Sequence, residues 1–302
     1  MSRTGPGRAQ EVSDGIHAFV QPDGSWMINN SGFVAGSSGV LCVDACATER
    51  RTRDLLAAIA EVTAAPVRTL VNTHHHPDHT AGNGFFPNAT IVAHEQARPE
   101  MRALGLPGND GIWSDVDYGD LELQLPFLTF ADRITAWVDD LRCELMHPGR
   151  AAHTTNDVVV WIPERSVLFA GDLLFNGGTP FLLSGSVRGS IDVLEHFLAP
   201  LGATTIVPGH GPVCGPEVID EVLDYLRFVL DLAARGREAG VSPLELARET
   251  DLGRFADWTD GERIVGNLHS AYAEESGLPL DAGAALRDMV AYNGGRPLTC
   301  LA

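Results

Sequence analysis

Residues 71 to 83 read VNTHHHPDHTAGN. His74, His75, His76, Asp78 and His79 crowd into this short stretch, and all are costly to bury unless something compensates. The spacing is His74-x-His76-x-Asp78-His79. Side chains two apart on an extended chain point to the same side, so His74 and His76 can reach one metal ion. Asp78 and His79 fall past the turn and can reach a second ion nearby. Imidazole with carboxylate suits zinc, and also iron or manganese. His75 lies between two candidate ligands and is expected to point away, into a supporting or solvated position. On composition alone, a solvated polar loop is the competing reading.

Three distant residues weigh against that alternative. His153 in GRAAHTTND precedes the apolar run DVVVWIP, Asp172 closes SVLFAGD, and His210 closes TTIVPGH. Strand ends beside glycine are where layered α/β proteins build their sites. The other histidines carry less weight. His94 follows a strand in VAHEQ and is read as structural, as are His17, His147, His196 and His269, which have no partners at ligand spacing. A serine nucleophile has no support, because the chain has no GxSxG.

The elements that must position these groups follow from the apolar patterning. IHAFVQ, WMINNSGFVAG and GVLCVDA read as antiparallel strands, followed by a helix from Thr48 to about Val62 that Pro66 closes. RTLVNT is a buried strand that delivers the histidine cluster. TIVAH is a strand, and a helix begins near Glu95. Residues 105 to 126 are rich in Gly and Asp and read as a long irregular loop carrying Trp113 and Tyr118. RITAWVD, LRCELMH, DVVVWIP and SVLFAGD make a second strand-rich half, with a helix near 191 to 199 and a strand TTIVPG. From Pro216 the pattern turns helical, with helices expected at 216–236, 242–250, 261–276 and 282–292. Two strand-rich halves with helices suggest a layered α/β sandwich.

The charge balance is 21 − 40 = −19, and with no lysine in the chain every basic side chain is an arginine. So acidic a surface repels nucleic acid, which is held largely through its phosphates, and disfavours anionic membranes. MSRTGPGRAQ lacks the apolar run of a secretion signal, and no segment approaches the ~18 uninterrupted apolar residues of a membrane span. The five cysteines are odd in number and lack CxxC spacing, so they read as reduced thiols, with Cys42 and Cys46 buried. A cytoplasmic setting is expected.

HHHPDH, with His153, the GD of FAGD and PGHG, resembles the metallo-β-lactamase superfamily over roughly residues 16 to 215. The resemblance implies an αββα sandwich over residues 1–215, with residues 216–302 as a helical C-terminal extension packed on it. It implies two divalent metal ions, zinc above all, with iron or manganese as alternatives. His74, His76 and His153 would hold the first, Asp78, His79 and His210 the second, and Asp172 would bridge both. A hydroxide shared by the ions would attack a thioester, ester or lactone carbonyl, with Asp78 orienting it or relaying a proton. Zinc β-lactamases typically carry Cys or Ser where this chain has Asp172, which looks more like thioesterases and lactonases of the glyoxalase II type. QPDGSWMINNSGFVAG, DLLFNGGTPFLLSGSVRGS and the C-terminal residues further resemble a bacterial subgroup that includes thioesterase–cyclases of aromatic polyketide pathways. The expected partner is a small-molecule or carrier-bound acyl substrate, and a homo-oligomer is allowed. Trp113, Phe175, Phe181, Leu182, Leu183 and the helical tail are candidates for its apolar pocket, with Tyr118 or Arg188 as polar contacts. The alternatives are a mononuclear iron oxidoreductase of the persulfide dioxygenase type, or a lactonase- or β-lactamase-like hydrolase.

Overall fold

A computed structural model describes residues 5–302. The first four residues of the opening segment considered above for a signal lie outside the described residues. Seven strands form one sheet in chain order: β1 (Arg8–Ser13), β2 (Ile16–Val20), β3 (Ser31–Ala35), β4 (Val40–Val43), β5 (Val67–Val71), β6 (Thr90–His94) and β7 (Leu128–Phe130). The first four pair antiparallel, and β4 to β7 run parallel. A five-stranded sheet comprises β8 (Arg133–Val138), β9 (Leu141–Met146), β10 (Val159–Ile162), β11 (Val167–Phe175) and β12 (Thr205–His210), ordered β12-β11-β10-β9-β8. Its β11–β12 pair alone is parallel.

Period-two alternation builds the layers. On β4, Leu41 and Val43 face the other sheet while Val40 and Cys42 face outward. On β10, Val160 and Ile162 point inward, and Val159 and Trp161 point out. The inward set from both sheets makes one core, including Val34, Val71, Leu145, Phe169 and Val207. Full burial of each such side chain is worth about 1.5–3 kcal/mol before chain entropy is counted.

Helix α1 (Glu49–Val62) covers the outer face of the first sheet. Thr48 caps it by accepting a bond from Arg51 N, and Leu55 and Ile59, one turn apart, bury against Phe33 and Leu70. The outer face of the second sheet carries α4 (Val187–Val193), α5 (Glu217–Ala239), α6 (Pro243–Glu249), α7 (Arg263–Ser276) and α8 (Ala282–Tyr292). Trp161, Leu168 and Ala170 of that sheet share one apolar cluster with Leu194, Val222, Leu226, Leu268 and Met289. The C-terminal helices are thus part of the sandwich's fourth layer and share its core. No helix among the described residues is long and apolar enough to cross a membrane.

Some elements differ from expectation. β1 is mostly polar, with only Ala9 and Val12 packing on the core, and it pairs along the sheet edge. Residues 26 to 30 are not a strand. Instead Asn29 Nδ2 donates to Ala45 O at 2.9 Å and Asn30 Nδ2 donates to Pro208 O at 2.9 Å, tying this segment to the ends of β4 and β12. β11 runs on through Asp172 to Phe175, with register shifts on either side of Gly171, which has a φ of 53°. α4 starts earlier than expected, where Ser186 Oγ accepts from Gly189 N at 2.8 Å, and it continues as a π-helical turn through Leu198. All five cysteines are free thiols, and Cys42 and Cys46 are buried.

The 105–126 segment has no helix and no regular strand, but it is tied down. Ser114 N donates to Leu298 O at 2.8 Å, and Leu298 N donates to Ile112 O at 2.7 Å. The buried Arg51 fixes the same C-terminal stretch by donating to Leu301 O at 2.8 Å and to Gln21 Oε1 at 2.9 Å.

Candidate metal centre

The site gathers at the carboxyl ends of parallel strands. β5 leads into the histidine loop, and β11 and β12 bring Asp172 and His210. The helix α2 (Pro77–Thr80) follows directly, with Pro77 at its first position and Asp78 and His79 within its single turn. A short helix here places Asp78 and His79 beyond the bend from His74 and His76, as their spacing suggested.

The seven anticipated residues converge in two groups. Donor atoms of His74, His76, His153 and Asp172 lie within 4.8 Å of one another, as do those of Asp78, His79, Asp172 and His210. Asp172 belongs to both. In the first group, His153 Nε2 is 3.2 Å from His74 Nε2 and 2.9 Å from His76 Nδ1. Each ring is set by its other nitrogen. His74 Nδ1 is 3.0 Å from Thr73 Oγ1, His76 Nε2 3.1 Å from Ser184 Oγ, and His153 Nδ1 2.7 Å from Phe181 O. In the second group, His79 Nδ1 is 2.8 Å from Asp44 Oδ2, and His210 Nδ1 is 3.0 Å from Gly24 O. That leaves Nε2 of both rings facing Asp172, at 3.1 Å and 3.4 Å. Outer partners of this kind fix the tautomer of metal-binding imidazoles.

The electrostatics divide the same way. Burial holds His74 and His76 well below the usual histidine range, and it lowers His153 to about 4. These three are neutral and ready to ligate. Burial would also depress His210, but Asp172 and Asp78 raise it to about 9. His79 is likewise held well up against its burial by Asp172, Asp78 and Asp44. Without metal, protons therefore fill the second group. The donors fit divalent ions: His79 Nε2 and Asp172 Oδ1 are buried and have no aligned hydrogen-bond partner, although only 3.1 Å separates them. A cation between such groups satisfies both.

Asp44, which the sequence reading did not single out, holds the His79 ring in place. It sits at the end of β4 with a φ of 60°, fully buried in the site. Its Oδ1 accepts from Thr73 N and its Oδ2 from Thr73 Oγ1, both at 2.7 Å. Its signal in the sequence is GVLCVDA, where an aspartate ends an apolar strand. Asp157 was also missed. It accepts from Thr154 N at 2.9 Å and Thr154 Oγ1 at 2.7 Å and so shapes the loop of His153, while burial pushes its own carboxyl to about 7.

A cavity of about 410 Å³ opens onto the site. Asp78, Asp172, His76 and His210 form its floor, and Trp26, Leu106, Trp113, Phe181, Leu183 and Leu286 are among its apolar walls. Three residues of the anticipated pocket therefore line it, Trp113, Phe181 and Leu183, as does α8 of the helical tail. Phe175 and Leu182 are instead core, and Phe175 stacks on the His210 ring at 5.0 Å. Tyr118 and Arg188, expected as polar contacts, are not in the lining. Arg188 lies on the exposed face of α4 beside Glu275, and Tyr118 packs on the C-terminal core. The cation that does line the cavity is Arg263. It is buried, stacks 3.8 Å from the centroid of Trp26, and pairs with Asp260 at 2.8 Å. His94 stacks on His147 away from the cavity and is structural.

The metallo-β-lactamase superfamily model matches residues 24–210, so the chain belongs to that superfamily. Hydroxyacylglutathione hydrolase of Acaryochloris marina is 31% identical over 257 residues, covering 78% of this chain and 85% of that one. A linear primary-alkylsulfatase of a Pseudomonas species is 25% identical over 72% of this chain, which spans 49% of the alkylsulfatase's length. Among solved structures, a metallo-β-lactamase from Pontibacter korlensis superposes with a TM-score of 0.60 at 20% identity, over 73% of this chain and 99% of that one. That likeness bears on the fold. Family and donor groups together support a metal-dependent hydrolase.

Proposed function

We propose that the protein is a dinuclear metallohydrolase that cleaves a thioester, ester or lactone of an apolar acyl substrate. The observation that carries this reading is a largely apolar cavity opening directly onto two donor groups that share Asp172. His74, His76 and His153 would hold one ion, Asp78, His79 and His210 the other, and Asp172 both, with zinc the metal best matched to imidazole and carboxylate donors. When bound, two such ions lower the pKa of water toward neutrality and polarise a substrate oxygen. Asp78 lines the cavity, so its carboxylate is positioned to orient the attacking water and carry its proton. The aromatic walls hold the acyl group and exclude bulk water.

The cavity chemistry favours an uncharged reacting group. A sulfate ester, the class named for the Pseudomonas relative, calls for cations, and Arg263 is already committed to Asp260. A carrier-bound polyketide is one acyl group that such walls would suit. The second donor group favours two ions over the single iron of a persulfide dioxygenase. The test is a panel of acyl thioesters, aryl esters, lactones and β-lactams offered to zinc-loaded protein. Turnover of apolar thioesters, esters or lactones is expected. Cleavage of β-lactams alone, or oxygen uptake with a persulfide by an iron-loaded form, would overturn the reading.

A further inference from the structure

His75 belongs to neither donor group, yet it does not point to solvent. It lines the cavity beside His76, Pro77 and Asp78, with only 8% of its surface exposed. Asn156, on the loop that carries His153, holds one edge of its ring. The Asn156 amide nitrogen is 3.0 Å from His75 Nδ1, with the amide oxygen farther away at 3.3 Å, and the same nitrogen donates to Thr155 Oγ1 at 3.3 Å. With the nearer amide nitrogen as the donor, Nδ1 is the acceptor and the ring proton falls on Nε2. The hydrogen bonds of the ring are at Nδ1, none is found at Nε2 among the described residues, and the ring lines the cavity.

We propose that His75 is a substrate-contacting hydrogen-bond donor, presenting Nε2–H to an oxygen of the acyl substrate, and that Asn156 is the positioning residue that sets its tautomer. The inference rests on the hydrolase reading and adds a specificity contact to the same cavity. A neutral N–H with no acceptor capacity selects carbonyl or ether oxygens over hydroxyl hydrogens. Asn156→Asp should invert the ring: a carboxylate demands a proton on Nδ1, and Nε2 then faces the substrate as an acceptor. The side chain of His75 would remain while its function was reversed.

The experiment uses the metal-loaded full chain with ¹⁵N-labelled histidine. His75→Phe identifies the His75 signals by their loss. The expected result is an Nε2–H tautomer in the wild type and an Nδ1–H tautomer in Asn156→Asp. With the octanoyl thioester of N-acetylcysteamine as probe, His75→Phe and Asn156→Asp should each raise KM about tenfold, while His75→Gln, which keeps an N–H donor, recovers most of that loss. An Nδ1–H tautomer in the wild type overturns the proposal, as does an unchanged KM in His75→Phe. If the wild type turned over no acyl substrate, the hydrolase reading would fail and the substrate contact with it, while the tautomer result would still decide whether Asn156 sets the ring.

Discussion

Replacing Asp44 by asparagine tests how the second donor group is held. The two side chains have nearly the same shape, and asparagine also tolerates the φ of 60° found there. Asp44 Oδ1 accepts from Thr73 N at 2.7 Å, while Oδ2 accepts from the Thr73 hydroxyl and faces His79 Nδ1 at 2.8 Å. Asparagine keeps an oxygen at only one of these positions. If the oxygen stays on Thr73 N–H, the new amide nitrogen meets His79 Nδ1, which must then accept. The ring proton moves to Nε2, the atom that faces Asp172 at 3.1 Å, and the ring can no longer ligate. If the oxygen turns to His79, the amide nitrogen confronts the Thr73 N–H, and buried unpaired donors cost about 1–3 kcal/mol each. Loss of such an outer partner weakens a metal site by about 10- to 100-fold, or roughly 1.4–2.7 kcal/mol. Competition with a chromophoric chelator should therefore find one weakened ion per chain and one unchanged, because no residue of the first group touches Asp44 except through Thr73. Two ions bound as tightly as in the wild type would refute the role given to Asp44.

Further outcomes follow from the same geometry. Asp172→Ala should remove both ions and all activity, because Asp172 belongs to both groups; retention of two metals with full turnover would disprove the sharing. Gly209→Ala should be nearly as damaging though it deletes nothing, since a Cβ there would sit 1.9 Å from Asp172 Oδ1 and 2.7 Å from the Gly171 backbone; a variant with normal metal content and rate would show that the backbone yields. The metal-free chain should lose thermal stability as pH rises. His210 is raised to about 9, against about 6.5 for an unfolded histidine, so its stabilising contribution is complete below about 6.5 and is lost as pH rises through about 9. Metal uptake should strengthen over that same interval, because the ion displaces this proton. A melting temperature of the metal-free chain that stays level from pH 6.5 to 9 would contradict the assignment.

Much of the centre could be read from residue order because its chemistry is local. His74, His76, Asp78 and His79 lie within one loop, where a strand delivers two and a helical turn the others. His153, Asp172 and His210 stood out because costly groups lie beside or within apolar runs. What escaped depends on contacts distant in sequence. Asp44 acts through Thr73 and His79, and Asn156 reaches His75 across 81 positions. The cavity wall was legible only in part. Trp113 is marked by its loop, but Leu106 and Leu286, which share the wall with it, give no local sign. Arg263 was hidden inside an ordinary helical pattern, and only folding brings it against Trp26. Strand β1 was missed because an edge strand need not alternate apolar and polar residues when neither face is deeply buried.

Metal analysis tests most directly whether two divalent ions share Asp172. The purified chain, loaded with zinc and freed of excess, should hold close to two ions, falling to none in Asp172→Ala. A single tightly held iron, or zinc at one per chain with Asp78, His79 and His210 contributing nothing, would contradict the account.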